Sequence, residues 1–198
     1  TLRKIGVDEN EFLIACDASF KQGTRFVDWR TEPSNQTVDN YDHPFSLPAG
    51  FFEGNVGAWW LLNEPDNRKQ HSFSHIVSTQ SSLCDAYKAP KQAQTPPYAA
   101  VANYGHHLDA HKFAEFLRKH CVDVLGVKHV RDHIKTVITD NDNNISILEC
   151  AKSSIKGDLF VDCTGFAATL ISGHYHSRLT DVSQGLRNDS AVAIQAPY

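Results

Sequence analysis

A lysine set among aromatic residues carries the most distinctive chemistry in this sequence. Lys21 directly follows Phe20, and Phe26 and Trp29 come shortly after it. Aromatic neighbours would desolvate the amine and increase the share of its neutral form, which reacts with electrophiles. Such an amine could hydrogen-bond a small electrophile or bond to it covalently, and so hold it in place. These residues alone are also consistent with a lysine at a helix end whose charge reaches into water.

A second candidate site lies in a proline-bearing stretch, where His43 and Phe45 flank Pro44. Aromatic side chains there could form a wall for a flat substrate, because ring stacking adds about 0.5–1.5 kcal/mol beyond burial. A loop held by one buried Phe would explain the same residues. The surrounding residues 31–106 are rich in Pro, Asn, Gln, Ser and aromatic pairs, which favours a binding site or lid over a disordered insertion.

The histidines and cysteines do not form a recognisable metal motif. His107 and His111 are four residues apart, but the glutamate of an H-E-x-x-H motif is missing. None of the five cysteines has a partner at C-x-x-C spacing, so neither a zinc site nor a disulfide framework is indicated. We therefore predict no metal site and a reducing, cytoplasmic compartment.

Composition and charge exclude several classes of partner. The chain has 198 residues and a formal net charge of −4, which argues against nucleic acid and acidic membranes as partners. No apolar run approaches the roughly 20 residues of a membrane helix. The length suits one domain or a piece of a larger one. Because the chain opens on Thr1 and contains no Met, we expect it to be a segment of a longer protein.

Periodicity predicts an α/β fold of mixed α+β type. A helix is expected after Asp8, with Phe12, Cys16 and Phe20 on one face. Another should begin at the N-cap Asp109. The remaining predicted elements are strands at 24–29, 127–139, 145–150 and 158–162, a C′ glycine at Gly126, and a helix over 166–171 after the turn at Gly165. A strand, a glycine turn and a helix in this order are typical of α/β proteins that bind a ligand at a helix N-terminus.

Several segments resemble the flavin-dependent tryptophan halogenases, and they occur in the family's order. Residues 17–29 (DASFKQGTRFVDW) are similar to the stretch in which a Phe-Lys pair precedes a Phe-Val-x-Trp strand. Residues 41–45 (YDHPF) resemble the family's substrate-contacting stretch. Residues 107–118, 126–130 and 158–166 (DLFVDCTGF) resemble a helix and two later strands of the family.

The resemblance implies a flavin monooxygenase-like FAD-binding fold, of which this chain is part. Residues 1–106 would hold the catalytic lysine and the substrate loop, and residues 107–198 would belong to the FAD-binding region. The implied enzyme is an oxidoreductase that chlorinates or brominates tryptophan or another indole. Reduced flavin (FADH2) from a separate flavin reductase would react with O2 and halide to give hypohalous acid. Lys21 would then transfer the halogen, with His43 and Phe45 flanking the indole.

Three further residues match flavin-binding positions of that family. Ile134 matches a strand position beside the flavin adenine, and Thr164 and Gly165 end a strand where a backbone approaches the dinucleotide. An ordinary strand residue and a plain turn would explain them equally well. A homodimer is compatible with this interpretation. The sequence does not specify chloride or bromide, the particular indole, or the ring carbon.

The chain also departs from the family pattern. The Gly-rich G-x-G-x-x-G motif, the W-x-W-x-I-P motif and the catalytic glutamate are absent, and residues 174–188 match only loosely. We therefore expect this chain by itself to bind flavin poorly, to be unstable, and to expose Leu159, Phe160 and Val161. The alternatives are a flavin-dependent aromatic hydroxylase, which has no need of an amine at Lys21, and a non-catalytic fragment.

Overall fold

The computed structural model describes residues 1–29, 32, 39–63, 72–186 and 190–194. These residues form the expected mixture of helices and antiparallel strands. The chain divides into two compact units, residues 1–128 and 129–198, and each is described by itself. The division at residue 106 inferred from the sequence concerns function, and it stays a prediction.

The described residues of the first unit form five α-helices, one 3₁₀ helix and two small sheets. Strand β1 pairs with β4 and strand β2 pairs with β3, both antiparallel. In chain order the elements are a 3₁₀ helix (Leu2–Ile5), α1 (Glu9–Ala15), β1 (Ser19–Lys21), β2 (Gly23–Val27), β3 (Asn40–Pro44), α2 (Val56–Leu62), α3 (Phe73–Val77), α4 (Thr79–Asp85), β4 (Gly105–His107) and α5 (Ala110–Asp123).

Helix α1 begins as the sequence predicts but ends earlier. The Asp8 carboxylate accepts a hydrogen bond from the Glu11 amide at 2.9 Å, which confirms the predicted N-cap. After Ala15, Asp17 takes a left-handed conformation with φ 46°, and the Ala18 amide donates to the Leu13 carbonyl at 2.8 Å. This Schellman-type ending uses an Asp where the pattern usually has Gly. The predicted helix position of Phe20 is therefore wrong, because Phe20 lies in β1.

The core of the first unit forms where α1 packs on α5. Val7, Phe12 and Cys16 are buried, and the Phe12 ring contacts the rings of Phe113 and Phe116 at centroid distances of 5.6 and 6.3 Å. Asp109 caps α5, as predicted, by accepting hydrogen bonds from the amides of residues 111 and 112. The helix ends at Asp123, and Gly126 takes φ 69° in the turn that follows.

Residues 31–106 are more ordered than their composition suggests. Helices α2, α3 and α4 all lie in this range. Residues 92–104 contain neither helix nor strand. Residues 31, 33–38 and 64–71 lie outside the described part of the chain.

The second unit is built on a three-stranded antiparallel sheet in the order β5-β6-β7. Its strands are β5 (Ile134–Thr139), β6 (Ile145–Cys150) and β7 (Ser154–Lys156), followed by a 3₁₀ helix (Gly165–Ala167) and a π-helix (Thr169–His174). The hairpin predicted across the Asp-Asn turn is confirmed: the Asp140 carboxylate accepts from the amides of residues 142 and 144. Its first strand begins at residue 134 rather than 127.

The predicted strand at 158–162 is wrong in this structure. Among the described residues no strand pairs with this segment, and an extended segment without a partner leaves its backbone groups unpaired. Leu159 is 83% exposed and Val161 75% exposed, as expected for this chain by itself, whereas Phe160 is half-buried. The predicted helix over 166–171 is also wrong, because Ala168 with φ 42° separates a 3₁₀ turn from a π-helical turn.

Within the described ranges, no helix is both long enough and apolar enough to cross a membrane.

Candidate active site

Lys21 is positioned by the pairing of β1 with β4. The register sets Lys21 opposite Gly105 and Phe20 opposite His106. Successive residues of a strand point to opposite faces, so the two neighbours separate. The Phe20 ring packs edge-on against Tyr104, with centroids 5.0 Å apart, and does not enclose the lysine amine. The expectation that Phe20 surrounds this amine is therefore wrong.

The aromatic ring that faces the Lys21 amine belongs to Phe45, a residue of the second candidate site. Lys21 Nζ lies 5.9 Å from the centroid of the Phe45 ring, a cation–π distance. Phe26 instead stacks on Tyr41 at 4.9 Å and packs edge-on against Trp29 at 5.5 Å. Two sequence-predicted site residues are thus brought together, Lys21 at the end of β1 and Phe45 directly after β3.

Close approach of two strands places Phe45 beside Lys21. The ladder between β2 and β3 sets Gly23 opposite Pro44, and the Phe45 amide extends it by donating to the Gln22 carbonyl at 2.9 Å. A Cβ on Gly23 would lie 2.6 Å from the His43 carbonyl oxygen and 2.9 Å from Pro44 Cα. Both are backbone atoms that cannot move independently, so only glycine fits at position 23.

His43 and Phe45 form an open face rather than a closed pocket. His43 lies on β3 opposite Thr24 and is exposed, and Phe45, two residues later, is 41% exposed. Both rings are therefore accessible to a flat molecule. The alternative of a single buried Phe does not fit this exposure.

A buried glutamine lies behind Phe45. Gln80 of α4 is 1% exposed; its Oε1 accepts from the Ser46 amide at 2.7 Å, and its Nε2 donates to the Asn103 carbonyl at 2.5 Å. Asn103 in turn donates from Nδ2 to the Phe45 carbonyl at 3.4 Å. The sequence does not indicate a role for Gln80, because a glutamine in a Ser- and Gln-rich run gives no signal of burial.

A buried carboxylate supports β4 from the other side. Glu9 is 1% exposed and accepts hydrogen bonds from Lys91 Nζ at 2.7 Å, from the Tyr98 amide at 2.7 Å, and from the Tyr104 hydroxyl. Burial raises the pKa of Glu9, but the hydrogen bonds from Lys91, Tyr104 and Tyr98 outweigh it, and the net pKa lies below its usual value. Burial and the bond to Glu9 raise the pKa of Tyr104. Glu9 was missed because it resembles an ordinary first-turn helix residue.

His106 of β4 lies inside this apolar and aromatic surrounding. Its ring is edge-on to Phe12 and Tyr104, at centroid distances of 5.0 and 5.4 Å. Burial lowers its pKa and so favours the neutral imidazole. Its Nε2 is buried and has no hydrogen-bond partner among the described residues. His106 therefore acts as a packed aromatic residue of the core.

A charged cluster lines an open cleft of about 650 Å³ near β2 and β3. Arg25 binds Asp42 through two hydrogen bonds of 2.7 and 3.2 Å and Asp85 of α4 at 2.6 Å. His75 Nε2 lies 2.7 Å from the other Asp85 oxygen. The hydrogen bonds from Arg25 and His75 lower the pKa of Asp85. The cluster joins α4 to β3 one residue before His43.

Ile134 begins β5 opposite Cys150, at an irregularity in the sheet. The register shifts between Ile134 and Thr136, so Lys135 is an extra residue in the ladder. Such a bulge leaves backbone groups outside the ladder and bends the strand. This geometry is compatible with a backbone contact to a base edge, and that role stays a prediction.

Thr164 and Gly165 lie in a loop organised by Asp162. The Asp162 carboxylate accepts from Thr164 Oγ1 at 2.7 Å and from the amides of Leu170 and Ile171 at 2.8 and 3.0 Å. The bonds from Thr164 and the Ile171 amide, together with the other amides, lower the pKa of Asp162 to about 2. The Thr164 hydroxyl also accepts from the Thr169 amide, so this side chain serves the loop. Nothing lies within 4 Å of a Cβ built on Gly165, whose φ is 64°.

The structure also bears on metals and thiols. Among the described residues, no group of three or more His, Cys, Asp or Glu side chains could hold a metal ion. All five cysteines are free thiols.

The chain is similar to known halogenases over almost its whole length. It is 31% identical over 203 residues to tryptophan 7-halogenase RebH of Lentzea aerocolonigenes, which covers 98% of this chain and 38% of that protein. It is 32% identical over 211 residues to tryptophan 6-halogenase SttH of Streptomyces toxytricini, covering 96% of this chain and 38% of that protein. The chain thus spans well under half the length of these relatives.

Solved structures share the fold. The crystal structure of a tryptophan halogenase from Shewanella frigidimarina matches with a TM-score of 0.81 at 42% identity, covering 88% of this chain and 33% of that one. The crystal structure of SttH matches with a TM-score of 0.79 at 30% identity, covering 95% and 38%. The family model described as tryptophan halogenase matches residues 1–198. The chain belongs to the tryptophan halogenase family.

Proposed function

We propose that this chain carries the halogen-transfer lysine and part of the substrate wall of a flavin-dependent halogenase acting on tryptophan or another indole. The observation that carries the proposal is the placement of the Lys21 amine over the ring of Phe45. The family match over residues 1–198 supports it, as do the tryptophan substrates in the names of the relatives RebH and SttH.

The proposed cofactor is FAD, used as FADH2 with O2 and halide as co-substrates; when bound, the reduced flavin supplies hypohalous acid. In the second unit, the open space at Gly165 and the bulge beside Ile134 are compatible with a flavin approaching the backbone. Thr164 would contribute through its backbone, because its hydroxyl is already bonded within the loop. A separate flavin reductase, a cytoplasmic location and a homodimer stay predictions.

Lys21 would act as a carrier of electrophilic halogen. Its neutral amine attacks the halogen of hypohalous acid, which forms an N–halogen bond and releases water after proton transfer. The indole ring then attacks that halogen, the N–halogen bond breaks, and loss of the ring proton restores the aromatic product and the amine. Alternatively the amine holds intact hypohalous acid by a hydrogen bond. In both cases the protein prevents free hypohalous acid from oxidising other groups.

His43 and Phe45 would orient the indole against this amine. Both rings are exposed, and the centroid of the Phe45 ring lies 5.9 Å from Lys21 Nζ. Stacking restricts a flat substrate in orientation, so these residues would influence which ring carbon meets the halogen. A flavin-dependent hydroxylase would have no use for the amine in this position, and membership of the halogenase family favours the halogenase.

Replacing the lysine tests the proposal directly. In the full-length protein, Lys21→Ala should reduce indole halogenation by at least about 10²-fold, because the positioned amine is lost. FAD binding and reoxidation of FADH2 by O2 should change little. Lys21→Arg should also be inactive, because a guanidinium is not deprotonated in proteins and offers no neutral amine.

Lys119→Ala is the matched control, since the Lys119 side chain is 77% exposed on α5. Product is measured by mass spectrometry and flavin oxidation by stopped-flow absorbance. Near wild-type halogenation by Lys21→Ala would refute the assignment.

Substitutions of His43 and Phe45, the proposed substrate wall, should alter indole binding and the choice of ring carbon more than flavin turnover. His43→Ala and Phe45→Ala should raise the KM for the indole, roughly tenfold for Phe45, and broaden the set of halogenated isomers. Phe52→Ala serves as control, because Phe52 is 85% exposed in the next loop. An unchanged KM and an unchanged isomer pattern in both variants would argue against a substrate wall.

A further inference from the structure

We propose that Gln80 is a positioning residue that fixes the Phe45 wall relative to Lys21 and thereby helps to determine which indole carbon is halogenated. This inference rests on the proposed function. Gln80 is separated from Phe45 by more than thirty residues in sequence, and no motif of the sequence analysis includes it.

The side-chain amide of Gln80 joins two chain segments that it does not belong to. Its Oε1 accepts from the Ser46 amide at 2.7 Å, and its Nε2 donates to the Asn103 carbonyl at 2.5 Å. Gln80 itself is 1% exposed. A buried amide with both its donor and its acceptor bonded has one well-defined orientation, so it fixes the separation of the two segments.

Both segments lead directly to the candidate site. Ser46 follows Phe45, and Asn103 lies two residues before Gly105, the strand partner of Lys21. Asn103 adds a second link, since its Nδ2 donates to the Phe45 carbonyl at 3.4 Å and its amide donates to Ser46 Oγ at 3.3 Å. Gln80 therefore lies at the junction between the strand that faces Lys21 and the residue that carries the ring.

Little else would keep the ring in place if this junction loosened. Phe45 is 41% exposed, so packing covers only part of its surface. Its backbone is held by the amide bond to the Gln22 carbonyl on one side and by the Asn103 and Ser46 contacts on the other. Gly105 lies against one edge of the ring, since a Cβ built there would be 3.4 Å from Phe45 Cε2, an ordinary van der Waals distance.

Gln80→Met tests the inference in the full-length protein. Methionine has a similar length and no amide, so both bonds are lost while most of the volume is kept. We expect the ratio of halogenated isomers to change at least about threefold and the KM for the indole to rise, with flavin reoxidation unchanged. Amide hydrogen exchange at Ser46 should accelerate roughly tenfold, because its N–H loses its buried acceptor.

A second variant and a control keep the outcome clear. Asn103→Ala removes the bond to the Phe45 carbonyl from an exposed position, and it should shift the isomer ratio in the same direction by a smaller factor. Gln94→Met replaces an exposed glutamine and should change neither quantity.

The results separate the inference from the proposed function. If the wild-type protein halogenates indoles but Gln80→Met and Asn103→Ala leave the isomer ratio and KM unchanged, Gln80 is merely structural and the inference fails alone. Unchanged exchange at Ser46 in Gln80→Met would also overturn it. If the wild-type protein does not halogenate any indole when supplied with FADH2, O2 and halide, the proposed function fails and the inference with it.

Discussion

One carboxylate in each unit accepts several hydrogen bonds, but the two carboxylates differ in burial and in how far away in sequence their partners lie. Glu9 is buried in the first unit, where Lys91 and two tyrosines bind it, and the core of Phe12 and Cys16 lies on the same helix. Asp162 in the second unit accepts hydrogen bonds from its own loop, while nearby Leu159 and Val161 are largely exposed. Both carboxylates have a lowered pKa, the first against the effect of burial and the second through local amides and a hydroxyl.

The two candidate sites are therefore supported by different kinds of contact. Around Lys21 and Phe45, buried side chains from several segments meet, and their polar groups are bonded across long sequence separations. Around Gly165, the bonds join residues fewer than ten apart, and Leu159, Val161 and Phe166 are largely exposed. The proposed substrate side is thus stabilised by tertiary structure, and the proposed flavin side by a local loop.

Removing the buried carboxylate should have the largest effect. Glu9→Ala leaves the Lys91 ammonium, whose side chain is 10% exposed, without its charged partner. Loss of one partner from a buried pair costs about 3–5 kcal/mol, and we expect that decrease in the free energy of unfolding of the first unit. Urea denaturation followed by tryptophan fluorescence measures it. Glu11→Ala, exposed on the same helix, should cost far less, and equal losses would contradict the comparison.

The lowered pKa of Glu9 gives this first prediction a pH dependence. A carboxylate with a folded-state pKa below its unfolded value, about 4.3, contributes stability above that value. The contribution is lost as pH falls through the folded-state pKa. The stability difference between wild type and Glu9→Ala should therefore be largest near neutral pH and shrink below about pH 4. A difference that stays constant from pH 7 to pH 3 would show that the ionised pair is not its source.

A methyl group added at Gly23, where β2 and β3 approach closely, should have the next largest effect. Gly23→Ala places a Cβ 2.6 Å from the His43 carbonyl oxygen, so β2 and β3 must separate. We expect a loss of about 1–3 kcal/mol in the free energy of unfolding and a broader isomer pattern, because Phe45 moves with the ladder. Gly54→Ala is the control, since nothing lies within 4 Å of its added Cβ. If both variants are equally stable, the close approach does not constrain the site.

The sequence predicted the local elements whose signals are contained in a few residues. The caps at Asp8 and Asp109 and the hairpin at Asp140 were predicted correctly, because a short polar side chain binding nearby amides is a local event. Lys21 and Phe45 were identified through the family resemblance, and their contact appears only in the folded chain.

The missed features all depend on distant partners or unusual backbone. Gln80 and Glu9 gain their roles from segments 23 to 95 residues away, which periodicity does not reveal. The early end of α1 at a left-handed Asp17 breaks the expectation that glycine marks such a position. The apolar run at 158–162 looks like a buried strand, but a strand forms only with a hydrogen-bonding partner, and none pairs with it among the described residues.

Disrupting the loop carboxylate should have the smallest and most local effect. Asp162→Asn replaces one oxygen by an NH2 group, which cannot accept the hydrogen bonds that this oxygen takes from Thr164 or from the amides of Leu170 and Ile171. Amide exchange at residues 170 and 171 should accelerate roughly tenfold near neutral pH, the scale of a lost helix cap. The urea midpoint of the first unit should not move, because the bonds of Asp162 lie within its own loop.

The pKa of Asp162 lies at about 2, below its unfolded value of about 3.9, so its contribution is present above pH 4 and is lost as pH falls through 2. The exchange difference between Asp162→Asn and wild type should therefore persist down to about pH 3. Asp158→Asn, exposed just before the loop, is the matched control and should leave exchange at residues 170 and 171 unchanged. If Asp162→Asn leaves that exchange unchanged as well, other contacts hold the loop. If it instead lowers the stability of the first unit, the two carboxylates are not independent and the comparison between them fails.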